Sequence, residues 1–138
     1  SAGCKWKCCP VDWTLFQDSC YYFSSAYTKW SSTRRRNKKM SNHQSLINLR
    51  QSSCFLFEFL EQSFRYGWIG LYNNGTGWRW VSGDPCDSSV KYCSRNEPGG
   101  KHKCVSIYPS NWGYVDGFEI EDCDGYNEGT CEKEALCF

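Results

Sequence analysis

Hydrophobic positions are unevenly spread along the chain, and Trp68-Ile69-Gly70-Leu71 is a short apolar run of β-formers around which the rest is organised. It is entered through Tyr66-Gly67 and left through the turn residues Asn73-Asn74-Gly75. A short run of β-formers without alternation predicts a central strand buried on both faces. Trp78-Arg79-Trp80-Val81 follows with strict alternation, placing both indoles on one face and Arg79 on the other. Across the Asn/Gly turn the two runs predict a hairpin whose tryptophans supply much of the core. Upstream, Val11, Trp13, Leu15 and Cys20-Tyr21-Tyr22-Phe23 read as two short strands around Gln17-Asp18.

Between these β segments the period changes. Thr28 to Met40 reads as a first helix, with Ser31 or Ser32 as its cap, Trp30 inward and basic residues over the remainder. Leu46-Ile47-Asn48-Leu49 reads as a short strand. Ser52-Ser53 then caps a second helix, with Phe55, Leu56, Phe59 and Leu60 forming one apolar face. After Trp80 the chain turns to loop over 82–103, longer than an ordinary connection and of the length that often carries function. Cys104 to Tyr108 reads as a strand, and a second loop from Pro109 to about Glu121 carries Trp112, Tyr114 and Phe118.

Composition narrows the class. A chain of 138 residues with 17% aromatics and no internal repeat suits one compact domain. Eleven cysteines point to an oxidising, extracellular or lumenal compartment, and an odd number leaves at least one thiol without an internal mate. No apolar run is long enough to span a membrane and the start has no signal-peptide character, so the sequence reads as a secreted form or as the ectodomain of an anchored parent. A net charge of +1 argues against nucleic acid as the main partner. Basic residues nevertheless gather early, from Lys29 to Arg50, and acidic ones late, from Asp116 to Glu134, a dipole able to orient a charged partner.

The order Cys9-Pro10, Trp13, Cys20-Tyr21-Tyr22-Phe23, Trp68-Ile69-Gly70-Leu71, Trp78-x-Trp80 and late paired cysteines resembles the C-type lectin-like domain over about residues 9 to 131. The resemblance implies an α+β fold: two helices, two small antiparallel sheets and a long loop region, stapled by disulfides. Residues 1–8 become a leader or stalk remnant and 9–138 the domain. It also implies bridges Cys9–Cys20 and Cys104–Cys123, with Cys86 and Cys93 stapling the long loop. Members usually join a cysteine late in the first helix to the last strand. Here that helix position is Asn37, so Cys131 needs another partner, and Cys54 is the leading candidate. Cys137 is expected to take Cys4 or Cys8, leaving the other for a disulfide-linked homodimer.

Sugar-binding members hold calcium through acidic and amide side chains in the long loop and in a Trp-Asn-Asp motif. This chain keeps Asn96-Glu97-Pro98 but has Gly99 where a further oxygen donor belongs, with Lys101-His102-Lys103 just beyond. Trp112 is followed by Gly113-Tyr114, and Asp116 stands out of register. Calcium needs six to eight oxygens, so Glu97 and Asp116 are read as a degenerate site and no metal or other cofactor is expected. Thiolate zinc fails on spacing, since Cys4-x-x-x-Cys8 with His102 lacks paired short spacings.

Catalysis finds no constellation. His43 and His102 sit in polar surroundings, no serine lies in a nucleophile elbow, the thiols belong to disulfides, and the late carboxylates read as a solvated face. What remains is a surface for a protein ligand on another cell: Arg95, Lys101, His102 and Lys103 from the first loop, and Tyr108, Trp112, Tyr114, Phe118 and Glu119 from the second. Tyr, Trp and Arg carry interface energy because they bury rigid area and keep a polar tip. Tyr108 and Tyr114 are expected to be exposed. The departures at the calcium motifs resemble the natural-killer-receptor branch, whose members bind protein without calcium. An immune-type receptor, a type II membrane glycoprotein, or the ligand of one is the first reading, and a calcium-dependent carbohydrate-binding lectin the second. The triplet Asn74-Gly75-Thr76 marks Asn74 as a glycan acceptor at an exposed turn.

Overall fold

A computed structural model describes residues 3–40, 43–47, 66–86, 103–108 and 118–138. Strand β4 (Gly67–Asn73) lies inside a four-stranded antiparallel sheet of order β5-β4-β6-β7, with β5 spanning Trp78–Trp80, β6 Lys103–Ile107 and β7 Phe118–Asp122. The expected hairpin forms, with Leu71 opposite Trp80 and Asn73 opposite Trp78. Both faces of β4 are covered. Ile69 and Leu71 enter a cluster with Tyr21, Ile47, Trp80, Val105 and Ile107, whereas Trp68, on the opposite face, packs with Trp30, Leu46 and Cys104. One strand therefore serves two halves of the core, which explains why its sequence shows no alternation.

Gly70 is required by close approach. Its N–H donates to Ile47 O at 2.7 Å, and a Cβ here would lie 2.9 Å from Val81 Cγ2 and 3.1 Å from the Ile47 carbonyl oxygen. Gly67 has φ +145° and would drive a Cβ to 2.6 Å from the Glu128 carbonyl oxygen, so the entry to the strand needs glycine on both counts.

A second sheet, of order β2-β3-β8, combines Thr14–Phe16, Ser19–Thr28 and Asn127–Glu134. The expected N-terminal hairpin is present, but its second strand continues to Thr28 because β8 pairs along it from Ser19↔Glu134 to Thr28↔Asn127, with a register shift between Phe23 and Tyr27. A third, two-stranded sheet joins β1 (Lys7–Cys8) to β9 (Leu136–Cys137), so the two chain ends meet.

Helix α1 covers Trp30–Met40, and its start corrects the expected cap. Ser31 and Ser32 lie within the first turn; Lys29 O accepts from Ser32 and Thr33, and the Thr28 and Thr33 hydroxyls share a 2.6 Å hydrogen bond. The helix turns Trp30, Thr33 and Asn37 inward and carries five cations among eleven residues. Leu46 and Ile47 are buried but outside any strand; Ser45 beside them bridges Glu132. The expected second helix and Cys54 lie outside the described residues.

Disulfides close Cys9–Cys20 and Cys104–Cys123, as expected, and Cys4–Cys137, which selects Cys4 over Cys8. Cys86 is disulfide-bonded; Cys93 lies outside the described residues. Cys8 is an exposed free thiol. Cys131 is also free and buried, which corrects its assignment to a bridge with Cys54. Its thiol faces Asn37 and Gln44, and burial pushes its ionisation upward. Asn37 spans the place of the missing bridge: Nδ2 donates to Thr130 O at 2.9 Å and Oδ1 accepts from Gln44 Nε2 at 2.8 Å.

The thiol makes stability pH-dependent. Its folded pKa is raised, so the neutral form is favoured in the folded state. That contribution is complete below the ordinary thiol pKa and is lost as pH rises from there through the raised folded value. Denaturant midpoints are expected to fall as pH rises above about 8.5, with a shallower fall in Cys131→Ser. Equal slopes in both proteins would assign the loss to other groups.

Candidate protein-binding face

The region expected to carry recognition leaves the four-stranded sheet at its β6–β7 end. Register pairs Ile107 with Phe118 and Ser106 with Glu119, so residues 109–117 connect two positions that lie opposite each other. The Cys104–Cys123 bridge, with a Cα separation of 5.0 Å, fixes the same strand pair at its other end.

Beneath this end lies a polar network absent from the sequence reading. Ser106 Oγ donates to Glu121 Oε2 at 2.5 Å, and Tyr108 Oη lies 3.2 Å and 3.3 Å from the two Glu121 carboxylate oxygens. Asn127 Nδ2 reaches Ser106 Oγ at 2.9 Å, Tyr108 Oη at 3.0 Å and Glu121 Oε2 at 3.2 Å. Ser106, Tyr108 and Asn127 are buried, and no buried polar side-chain atom among the described residues lacks a partner. A carboxylate acceptor shared by several donors ties β6 and β7 of the four-stranded sheet to β8 of the second sheet and makes one base.

Tyr108 is therefore not the exposed anchor expected of it. It is 9% accessible, its hydroxyl belongs to the network, and its ring stacks on Tyr66 with centroids 6.1 Å apart and planes at 5°. Its part is to support the base. Glu119 is exposed and Lys103 half-buried at the start of β6, opposite Asp122 and Asn73. Phe118 opens β7, and its side chain is not among those described. Arg95, Lys101, His102, Trp112, Tyr114, Glu97 and Asp116 lie outside the described residues. Two exposed aromatics near the network were not foreseen. Tyr27 is 56% accessible and shares a 2.6 Å hydroxyl–hydroxyl hydrogen bond with Tyr66, and Tyr126, 67% accessible, directly precedes Asn127. A solvent-facing aromatic inside a strand pattern, such as Tyr27, was the available signal.

Asn74 is exposed in the β4–β5 turn, where its Oδ1 accepts from Thr76 N–H at 3.1 Å and Thr76 Oγ1 at 2.6 Å. Among the described residues no three His, Cys, Asp or Glu side chains gather as a metal site, and no helix is long and apolar enough to cross a membrane.

Comparison with known proteins places this geometry. Residues 39–133 match the Lectin C-type domain family model. C-type lectin domain family 6 member A of Mus musculus is 32% identical over 137 residues, 95% of this chain and 63% of that protein. C-type lectin domain family 4 member A of Rattus norvegicus is 30% identical over 139 residues, 96% of this chain and 57% of its own length. The chain thus spans roughly three-fifths of these curated relatives. Among solved structures, the cow CD23 C-type carbohydrate-recognition domain, crystallised in the presence of a GlcNAc2Man3 oligosaccharide, superposes with a TM-score of 0.71 at 26% identity, covering 95% of this chain and 99% of that one. The mouse scavenger receptor C-type lectin carbohydrate-recognition domain gives 0.72 at 24% identity over 94% of this chain and 99% of its own, a likeness of fold.

Proposed function

This chain belongs to the C-type lectin domain family, and from that premise we propose that it is the extracellular recognition domain of an immune-type receptor, or of a receptor's ligand, and that it engages a protein partner without calcium. The observation that carries this reading is the donor set at the calcium motifs: Glu97-Pro98-Gly99 and Trp112-Gly113-Tyr114 remove oxygen ligands a hard cation needs, and Lys101 to Lys103 set positive charge beside them. Glu121, the half-buried carboxylate at the loop base, already spends its oxygens on Ser106, Tyr108 and Asn127. The role is binding rather than catalysis.

Trp112, Tyr114, Arg95 and Glu119 are the proposed anchors. A screen of the soluble domain against cell-surface proteins in chelator is expected to retain a partner. Trp112→Ala or Tyr114→Ala should weaken that complex by about 2 kcal/mol, roughly thirty-fold. A partner lost on chelation, or one indifferent to both substitutions, would refute the reading.

The second reading, a calcium-dependent sugar lectin, draws support from the 26% identity to the cow CD23 carbohydrate-recognition domain. A glycan array run with and without chelator separates the two, because only the lectin loses its signal in chelator.

The assembly proposed is a covalent homodimer of a membrane-anchored parent. With Cys4 held by Cys137, Cys8 is the exposed cysteine left in the N-terminal segment. On non-reducing gels the natural protein is expected to run as a dimer that Cys8→Ser converts to monomer. Glycosidase is expected to shift both species unless Asn74 is replaced by Gln. A Cys8→Ser dimer, or an unshifted band for the natural protein, would remove the respective assignment.

A further inference from the structure

On another flank of the molecule, α1 and the β5 end enclose an open groove of about 570 Å³ lined by Arg34, Arg35, Lys38, His43, Gln44, Ser45, Leu46, Val81 and Ser82. We propose that this groove binds a sulfated polysaccharide, independently of the loop face and without calcium.

Charge is the first argument. Half-buried Arg34 and exposed Arg35 and Lys38 come from one side of a helix that has no acidic residue in its first turn, and Lys38 and Lys39 close its last. No carboxylate among the described residues pairs with any of the three lining cations. Asp84, near the rim, instead accepts the Ser82 hydroxyl at 2.9 Å. Like charges crowded on one helix repel each other, and a polyanion relieves that repulsion while receiving charge-assisted hydrogen bonds.

Preorganisation is the second. The Arg34 guanidinium lies 5.5 Å from the Trp30 ring centroid and 5.1 Å from that of Tyr72, and Trp30 is itself fixed by donation to Ile69 O at 2.8 Å. A guanidinium held against two aromatic rings is positioned in advance and has less rotamer freedom to lose when it meets an anion.

The third argument is what lies between the cations. The Gln44, Ser45 and Ser82 donors are turned to Asn37, Leu46 O and Asp84, which leaves the two hydroxyl oxygens as acceptors for sugar hydroxyls, over an apolar floor of buried Leu46 and half-buried Val81. A lipid surface would want exposed apolar side chains at the cations. Of the strongly exposed ones, only Met40 stands on the described part of the basic helix, too little to insert, while Trp6, Leu136 and Phe138 stand on or beside the β1–β9 sheet. A hydroxyl-bearing chain with sulfates fits the groove better than a headgroup plane.

The test uses immobilised heparin fragments in chelator at physiological salt, with a chemically desulfated fragment and anionic vesicles as controls. Arg35→Ala/Lys38→Ala removes two cations from the groove, and Arg36→Ala/Lys39→Ala removes the same charge from helix positions outside it. The groove variant is expected to bind heparin about ten-fold more weakly, and the other to change by less than about three-fold. Arg34→Lys, which keeps the charge but loses the planar fork, should fall with the groove variant. Equal weakening of the two double variants, equal binding of the desulfated fragment, or retention on vesicles but not on heparin would each overturn the proposal.

Discussion

Replacing Trp68 with alanine is expected to cost about 3–5 kcal/mol of folding free energy, a large fraction of the roughly 5–15 kcal/mol by which an ordinary domain is stable. Trp68 is 1% accessible and packs with Trp30, Leu46 and Cys104 on its face of β4. Its indole N–H donates to Thr28 O at 2.8 Å, and its own carbonyl accepts the Thr130 hydroxyl, so one residue ties the end of β3, the central strand and β8 together. Truncation opens a cavity and strands the Thr28 carbonyl, two costs that add. Trp68→Phe keeps most of the volume and loses the donor, and should lie between. Circular dichroism with a urea titration reads the difference. A Trp68→Ala midpoint close to that of the natural protein would show that the face of β4 carrying Trp68 is dispensable.

The parts of the fold legible in the sequence are those whose side-chain pattern and environment agree. The β4–β5 hairpin was plain because Trp68 to Leu71 are apolar on both faces and Trp78-Arg79-Trp80 alternates to match one buried face. Strand β8, Asn-Glu-Gly-Thr-Cys-Glu-Lys-Glu, gives no such signal. It is held by pairing along β3 and by satisfied polar burial: Thr130 is fully buried, yet its hydroxyl accepts from Ile47 N–H at 3.3 Å and donates to Trp68 O. Polar residues at core positions look like loop until their partners, far away in sequence, are known.

The candidate site shows the same division. Tyr108 was read as exposed because a tyrosine ending a strand before a long loop commonly faces water; the partners that bury it, Glu121 and Asn127, are 13 and 19 residues away. The basic run in α1 was read only as one end of a charge dipole, since charge alone does not reveal a groove. Its concavity comes from residues 43–46 and 81–82, brought against the helix by tertiary packing. Residue types and spacing identified the chemistry missing from the calcium motifs, because ligand identity resides in the residues themselves.

The same logic makes Asn37 the most informative position for stability. The family's usual bridge links the first helix to the last strand, and here each end kept its place while one lost its sulfur. Asn37 contacts Thr130 O and Gln44, and the thiol of Cys131 faces it, free and buried. Asn37→Cys is therefore expected to form a disulfide with Cys131. Constraining a loop of this length contributes about 2–4 kcal/mol, offset by roughly 1–3 kcal/mol for the amide hydrogen bonds given up. The proper reference is Asn37→Cys combined with Cys131→Ala, which carries the same loss without the bridge, so the full gain should appear as a higher denaturant midpoint in the single variant. Asn37→Ser should be less stable than the natural protein, since a hydroxyl is too short to span Thr130 and Gln44 together. If both cysteines remained reactive to thiol reagents after unfolding under oxidising preparation, the helix and the strand would not be held in bonding register, and Asn37 would be no structural substitute for the bridge.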